Sequence, residues 1–304
     1  MHMPDRIIDS HIHLITAGTH QARLEWKSKL DADLLSAFQE HWERSLRSRN
    51  EDLPETDPGD VVTVAARWLE EFDRAGIERG VFFTAVEKHD ELARFIALGS
   101  GRFIGYASLN PTVAGNGDLL RRMVREHGIK GLKLYPMAGH FHVNDPACFP
   151  VYKACQENGL PVIIHFGLSI NATHDLSYGN PLDLAAPALR FPSVKWIIPH
   201  FGAGFFREAL LVAAQYRNVF IDTSSSNNWI QYAPEPVRLE EIFQRAYEAL
   251  GANRIIFGTD SSFFPRGYRA NILEQQLAIL NHLGLSGEEI NDIFGGNIEG
   301  ILKL

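Results

Sequence analysis

Short runs of apolar, β-branched and aromatic residues recur along the chain, most of them followed by a stretch with helical periodicity. Eight such runs predict strands: RIID (6–9), GVFFTAV (80–86), RFIGYASL (102–109), GLKLY (131–135), PVIIHF (161–166), VKWIIPHF (194–201), VFIDTS (219–224) and RIIFGTD (254–260). Several are apolar without alternation, as parallel strands covered on both faces tend to be. Between them, segments such as VVTVAARWLEEFDRAG, DLLRRMVREHG, ACFPVYKACQENG, REALLVAAQYRN and LEEIFQRAYEALG carry amphipathic helical patterns. Most of these finish on Gly or Asn, residues that favour helix C-termini. Eight strands alternating with helices predict an α/β fold, a (β/α)8 TIM barrel forming one domain over residues 1–304. Two stretches depart from the alternation. Residues 18–60 are polar, charged and proline-containing, and predict a helical insertion over the barrel mouth that could serve as a lid. The closing LSGEEINDIFGGNIEGILKL predicts two short helices.

Composition narrows the class. The chain has 304 residues, 45% hydrophobic and 22% charged, with a net charge of −8, which disfavours nucleic acid and anionic membranes as partners. Its apolar runs are shorter than the ~20 residues that span a bilayer, and no signal-peptide pattern opens it. The two cysteines, Cys148 and Cys155, are seven apart in a helical pattern, ~10 Å and too far for a disulfide. A cytoplasmic enzyme is the expectation. No glycine-rich phosphate fingerprint follows the first strand, which disfavours a nicotinamide-dependent oxidoreductase.

Chemistry enters with the histidines. His11 and His13 form an H-x-H at the first strand. With 13 His in the chain, chance alone supplies about 0.5 such pairs, so the pair by itself proves little. Context is what lifts it: His165 closes the fifth strand, His200 follows the sixth, and Asp260 follows the eighth. In this fold, strand ends on one face are where catalytic groups sit. Residues i and i+2 on a strand share a face, so His11 and His13 both aim into the mouth. Asp9 has the same parity and is a candidate to orient a ligand imidazole. Three histidines and one aspartate can hold a divalent ion, zinc by preference with manganese or iron as alternatives.

IDSHIHL, GLKLYP, LPVIIHFG, IIPHFG, IFGTD and IFGGNIEGILKL together resemble the amidohydrolase superfamily, in its amidohydrolase-related branch, from about residue 7 to the C-terminus. The resemblance implies metal ligands at His11, His13, His165 and Asp260, and an acid/base or polarising role for His200. It also implies that Asp260 takes a proton in hydrolytic members, and it suggests a homodimer. The branch holds hydrolases, lactonases, hydratases and aminocarboxymuconate semialdehyde decarboxylase. The expected activity is therefore hydrolysis of a small organic acid, amide or lactone through a metal-activated water. The alternative is non-oxidative decarboxylation of an aromatic or unsaturated carboxylic acid; a non-catalytic scaffold is disfavoured because every expected ligand is present.

Other residues carry open readings. Lys133, ending the fourth strand, could bridge a second metal as a carbamate or meet a substrate anion. The second H-x-H, His140 and His142, falls in a loop, where a shared face is not enforced; His140 is a candidate substrate contact and metal ligation is disfavoured. Arg266 and Arg269 could clamp a carboxylate or make structural ion pairs. Trp229, with Phe263, Phe264 and Tyr135, could wall the substrate.

Overall fold

The computed structural model describes residues 2–48, 53–85, 87–169, 171–224 and 227–304. Positions 49–52 of the predicted insertion and Val86 at the end of the predicted second strand lie outside them. Eight parallel strands follow one another in chain order around a barrel. They are β1 (Ile8–His13), β2 (Arg79–Phe83), β3 (Phe103–Ser108), β4 (Gly131–Leu134), β5 (Val162–Ile164), β6 (Trp196–Ile198), β7 (Val219–Asp222) and β8 (Ile255–Ile256). Helices α1 (Ala17–Lys27) and α2 (Ala32–Ser48) make up the insertion. The barrel's outer ring holds α3 (Val61–Ala75), α4 (His89–Leu98), α5 (Asn116–His127), the one-turn α6 (Pro136–Gly139), α7 (Phe149–Asn158), α8 (Ala185–Arg190), α9 (Phe206–Gln215), α10 (Leu239–Leu250) and α11 (Ala270–His282). Short α12 (Gly287–Asn291) and α13 (Asn297–Leu302) close the chain.

All eight predicted strands are present, but their ends moved. β1 runs four residues further than RIID, so His11 and His13 lie on the strand itself. β6 and β8 stop early, at Ile198 and Ile256, leaving His200 and Asp260 on the loops beyond. The physical reason is backbone conformation: His200, Phe201 and Asp260 adopt left-handed φ of 57°, 53° and 60°, which no strand accommodates. Helix ends were easier to read, and α3, α5 and α7 stop at left-handed Gly76, Gly128 and Gly159, as their terminal glycines predicted.

The sheet separates two apolar layers. Inside the barrel, Ile8, Val81, Phe83, Ile104, Tyr106, Ile163, Ile197 and Ile256 stack on one another, and Ile298, Ile301 and Leu302 of α13 plug the floor. Gly131 leaves room for the Tyr106 ring, which a Cβ there would meet at 2.5 Å. Outside, a larger layer including Ile7, Ile12, Trp68, Phe82, Leu132 and Leu134 packs the sheet against the helices. Leu132 and Leu134 point outward, so Lys133 between them points in. A floor filled with hydrocarbon leaves the opposite end as the place for polar side chains.

Candidate metal centre

The seam where β1 meets the β8 loop carries most of the polar groups. The Asp260 N–H donates to the His11 carbonyl at 3.0 Å, and the His13 N–H donates to the Ser261 carbonyl at 2.8 Å. Main-chain bonds thus fix both β1 histidines against Asp260. His13 Nε2 lies 3.2 Å from Asp260 Oδ1, and His11 Nε2 lies 3.7 Å from the same oxygen. His200 completes the group from the β6 loop: ligating atoms of His11, His200 and Asp260 all fall within 4.8 Å of one another. His200 and Asp260 are held in left-handed backbone, which costs of order 1–3 kcal/mol for a residue with a side chain and is commonly retained at functional sites.

Ring orientation follows from the second nitrogen of each imidazole. His11 Nδ1 donates to Asp222 Oδ2 at 2.7 Å. His200 Nδ1 donates to the Ser224 backbone carbonyl at 2.9 Å, an atom that can only accept. Ser224 Oγ sits between the two rings, 3.1 Å from His11 Nδ1 and 3.0 Å from His200 Nδ1. Both rings therefore turn a bare Nε2 toward Asp260. His11 Nε2 is buried and has no hydrogen-bond partner among the described residues. A buried polar atom left alone is costly, and a cation is one partner that satisfies a lone pair.

Charge states agree with this geometry. Burial pushes His11 and His165 well below the usual imidazole range, and His13 and His200 down as well. Burial raises the Asp260 carboxyl, but the hydrogen bond from His13 and the attraction of the neighbouring His200 and His11 rings outweigh it and hold Asp260 well below the carboxylate range. Two neutral imidazoles and an ionised carboxylate within a few ångströms are a donor set that fits a divalent metal.

The structure places the other expected residues as follows. His165 packs its ring on His200 at 5.0 Å between centroids, and its Nε2 lies 3.3 Å from the Leu168 carbonyl. The compact donor group thus contains His200, with the expected ligand His165 packed against that ring. Asp9 does not touch the His11 ring: its carboxylate accepts the His11 backbone N–H at 2.9 Å and the Thr259 hydroxyl at 2.5 Å. The same-face expectation fails because β1 slips register against β2 between Asp9 and Ile12, which breaks the alternation. Asp222, at the end of β7, makes the ring contact instead. Sequence reasoning passed over it, although the rule that selected Asp260, an acid closing a strand run, applies equally to VFIDTS.

Lys133 is fully buried, and its Nζ has no hydrogen-bond partner among the described residues. It lies 4.7 Å from the Phe83 ring centroid and 5.1 Å from that of Tyr135. Burial lowers its amine to about 7, against the opposing pull of Asp222 and Asp260. Of the expected clamp arginines, Arg266 Nη2 donates to Ser262 Oγ at 2.5 Å and to the Asp260 carbonyl at 3.4 Å, and Arg269 Nη1 donates to the Thr259 carbonyl at 3.2 Å. His140 is exposed and stacks on Tyr178 at 5.9 Å, while Trp229 is buried 6.0 Å from the Phe206 ring.

The Amidohydrolase family model matches residues 8–304, and the chain belongs to that family. Among characterised relatives, it is 28% identical over 116 residues to protein fluG of Emericella nidulans, a match covering 38% of this chain and 13% of that protein. It is 25% identical over 134 residues to 2-amino-3-carboxymuconate-6-semialdehyde decarboxylase of Dictyostelium discoideum, covering 38% of this chain and 37% of that one. The matches therefore span well under half of either relative. Among solved structures, a 5-carboxyvanillate decarboxylase of Novosphingobium aromaticivorans with bound manganese and a nitrobenzoic acid superposes at TM-score 0.68, with 16% identity over 98% of this chain and 97% of that one. A probable 2-pyrone-4,6-dicarboxylic acid hydrolase of Acinetobacter baumannii superposes at 0.63, with 14% identity over 98% of this chain and 100% of that one. At these identities the structural likeness establishes the barrel. No helix among the described residues is long and apolar enough to cross a membrane.

Proposed function

We propose that this protein is a metal-dependent, non-oxidative decarboxylase of an aromatic or unsaturated carboxylic acid. That places second the hydrolysis which the sequence put first. The observation that carries the reading is Lys133: a buried amine with no hydrogen-bond partner among the described residues, set against the Phe83 and Tyr135 rings and acting electrostatically on Asp260. A buried amine against aromatic rings offers a flat carboxylate both a charge partner and ring faces, and taking a carboxylate out of water removes the hydration that opposes loss of carbon dioxide. In that reaction the carbon–carbon bond to the carboxylate breaks, its electron pair stays on the substrate carbon, and that carbon takes up a proton. Asp260, whose side chain is 22% exposed while that of His11 is fully buried, is ionised at rest and is the group assigned to relay that proton: it takes one up from solvent water and passes it to the carbon. His11, His200 and Asp260 would hold the metal, zinc or manganese, with His13 beside them; when bound it supplies Lewis-acid polarisation of a substrate oxygen. The decarboxylases among the similar proteins support this reading, and the two free, buried cysteines support a reducing, cytoplasmic setting.

Hydrolysis is the second reading, favoured by an ionised Asp260 in the position of a base beside bare imidazoles. The two separate on products. Metal-loaded protein is incubated with hydroxybenzoic and unsaturated acids labelled with ¹³C at the carboxyl, and with amides and lactones in ¹⁸O-water. Release of ¹³CO₂ is expected. Label from water entering the product, with no carbon dioxide from any acid, overturns the proposal.

A further inference from the structure

The decarboxylase reading leaves the far end of the substrate without a receptor, and the insertion offers one. Arg23 and Lys27, one turn apart on α1, line a cavity of about 70 Å³ together with Trp42 of α2. That is room for a carboxylate group or a few waters. Ile15, two residues beyond His13, and Phe263, three beyond Asp260, belong to the same wall, so the cavity is built partly from the segments that carry the donor group.

Its charge is one-sided. Glu55 is the acid on the wall, and Arg67 takes both its carboxylate oxygens, at 2.6 and 2.8 Å. Arg23 lies 5.7 Å from the Trp42 ring centroid and Lys27 4.6 Å from that of Phe38. Among the described residues no carboxylate faces either cation, and burial pushes both below their ordinary values. The charge of Arg23 also acts on His13 and on Tyr135, whose buried hydroxyl has no partner among the described residues. A half-buried guanidinium that faces no carboxylate among the described residues and acts on His13 and Tyr135 is a receptor for an anion.

We infer that the Arg23–Lys27 cavity binds a second anionic group of the substrate, so that the insertion selects a dicarboxylic acid over the corresponding monocarboxylic acid. This rests on the proposed decarboxylase reading, in which the other carboxylate meets the donor group. The insertion is then a recognition element.

The test is calorimetric binding of isophthalate and benzoate to manganese-loaded wild type and to Arg23→Met, Arg23→Lys and the exposed control Arg47→Met, with thermal melts confirming folding. Wild type is expected to bind isophthalate at least about tenfold tighter than benzoate. Arg23→Met should lose about 10- to 100-fold for isophthalate and less than about twofold for benzoate. Arg23→Lys should fall between, because it keeps the charge but loses the fork, and Arg47→Met should match wild type. No isophthalate binding, equal wild-type affinities, or an Arg23→Met protein that keeps the preference overturns the inference. If the preference holds but no labelled acid releases carbon dioxide, the decarboxylase reading alone fails.

Discussion

The chain writes H-x-H twice and folds it in two different ways. His11 and His13 lie on β1, in a segment pinned by main-chain bonds to the β8 loop, with the His11 ring buried and oriented by Asp222. His140 and His142 follow the one-turn α6; His140 is a left-handed cap stacked on Tyr178, and His142 is half exposed and paired with Asp183 at 2.7 Å. The letters agree and the chemistry does not. A strand fixes direction, a seam fixes distance, and a buried carboxylate fixes the tautomer, whereas a loop supplies none of these. A ligand motif is therefore a property of the backbone under it.

The largest expected effect comes from cutting the strand-borne pair. His11→Ala should drop bound metal from about one per chain to near zero by elemental analysis, with activity down by on the order of 10³ or more. It should also cost about 1–3 kcal/mol in denaturant unfolding, because buried Asp222 loses its ring partner. Full metal content in that variant would erase the distinction between the two motifs.

Asp222→Asn probes orientation alone. The amide keeps the shape but no longer forces the His11 proton onto Nδ1, so metal affinity should weaken about 10- to 100-fold in a chelator competition. Unchanged affinity would mean the buried carboxylate does not set the ring.

Lys133 sharpens the comparison through pH. Its amine is pushed down to about 7, so it is charged below that pH and neutral above. Carboxylate binding should weaken by about tenfold as pH rises through 7, and Lys133→Met should flatten the profile at its weak limit. The stability sign is separate. Between 7 and the ordinary 10.5 the unfolded chain holds a proton that the folded one has released, so wild-type stability from this group rises with pH across that window. A binding profile identical in Lys133→Met would remove the lysine from substrate recognition.

The smallest effect is expected from the loop. His142→Ala breaks a solvent-facing pair and should change metal content by less than about twofold and stability by under about 1 kcal/mol.

Much of this is legible in the sequence, for identifiable reasons. Parallel strands buried on both faces announce themselves as apolar runs, and glycines such as Gly76 and Gly128 mark helix ends, so the barrel could be counted out. His11, His13, His165, His200 and Asp260 were visible because each terminates such a run. What escaped depends on long-range or irregular geometry. The slip in β1 that turns Asp9 away leaves no mark in IIDSHIH, and the left-handed turns at His200 and Asp260 are enforced by the surrounding loops. The Asp222–His11 bond joins residues 211 apart, and Arg23 shares a cavity with Phe263 of the β8 loop, far away in sequence.

The most direct test is anomalous diffraction at the manganese edge from crystals grown with manganese. One peak is predicted per chain, at about 2.0–2.3 Å from His11 Nε2, His200 Nε2 and an Asp260 carboxylate oxygen. A peak at His140 and His142 instead, or none at the His11 cluster, would contradict the account.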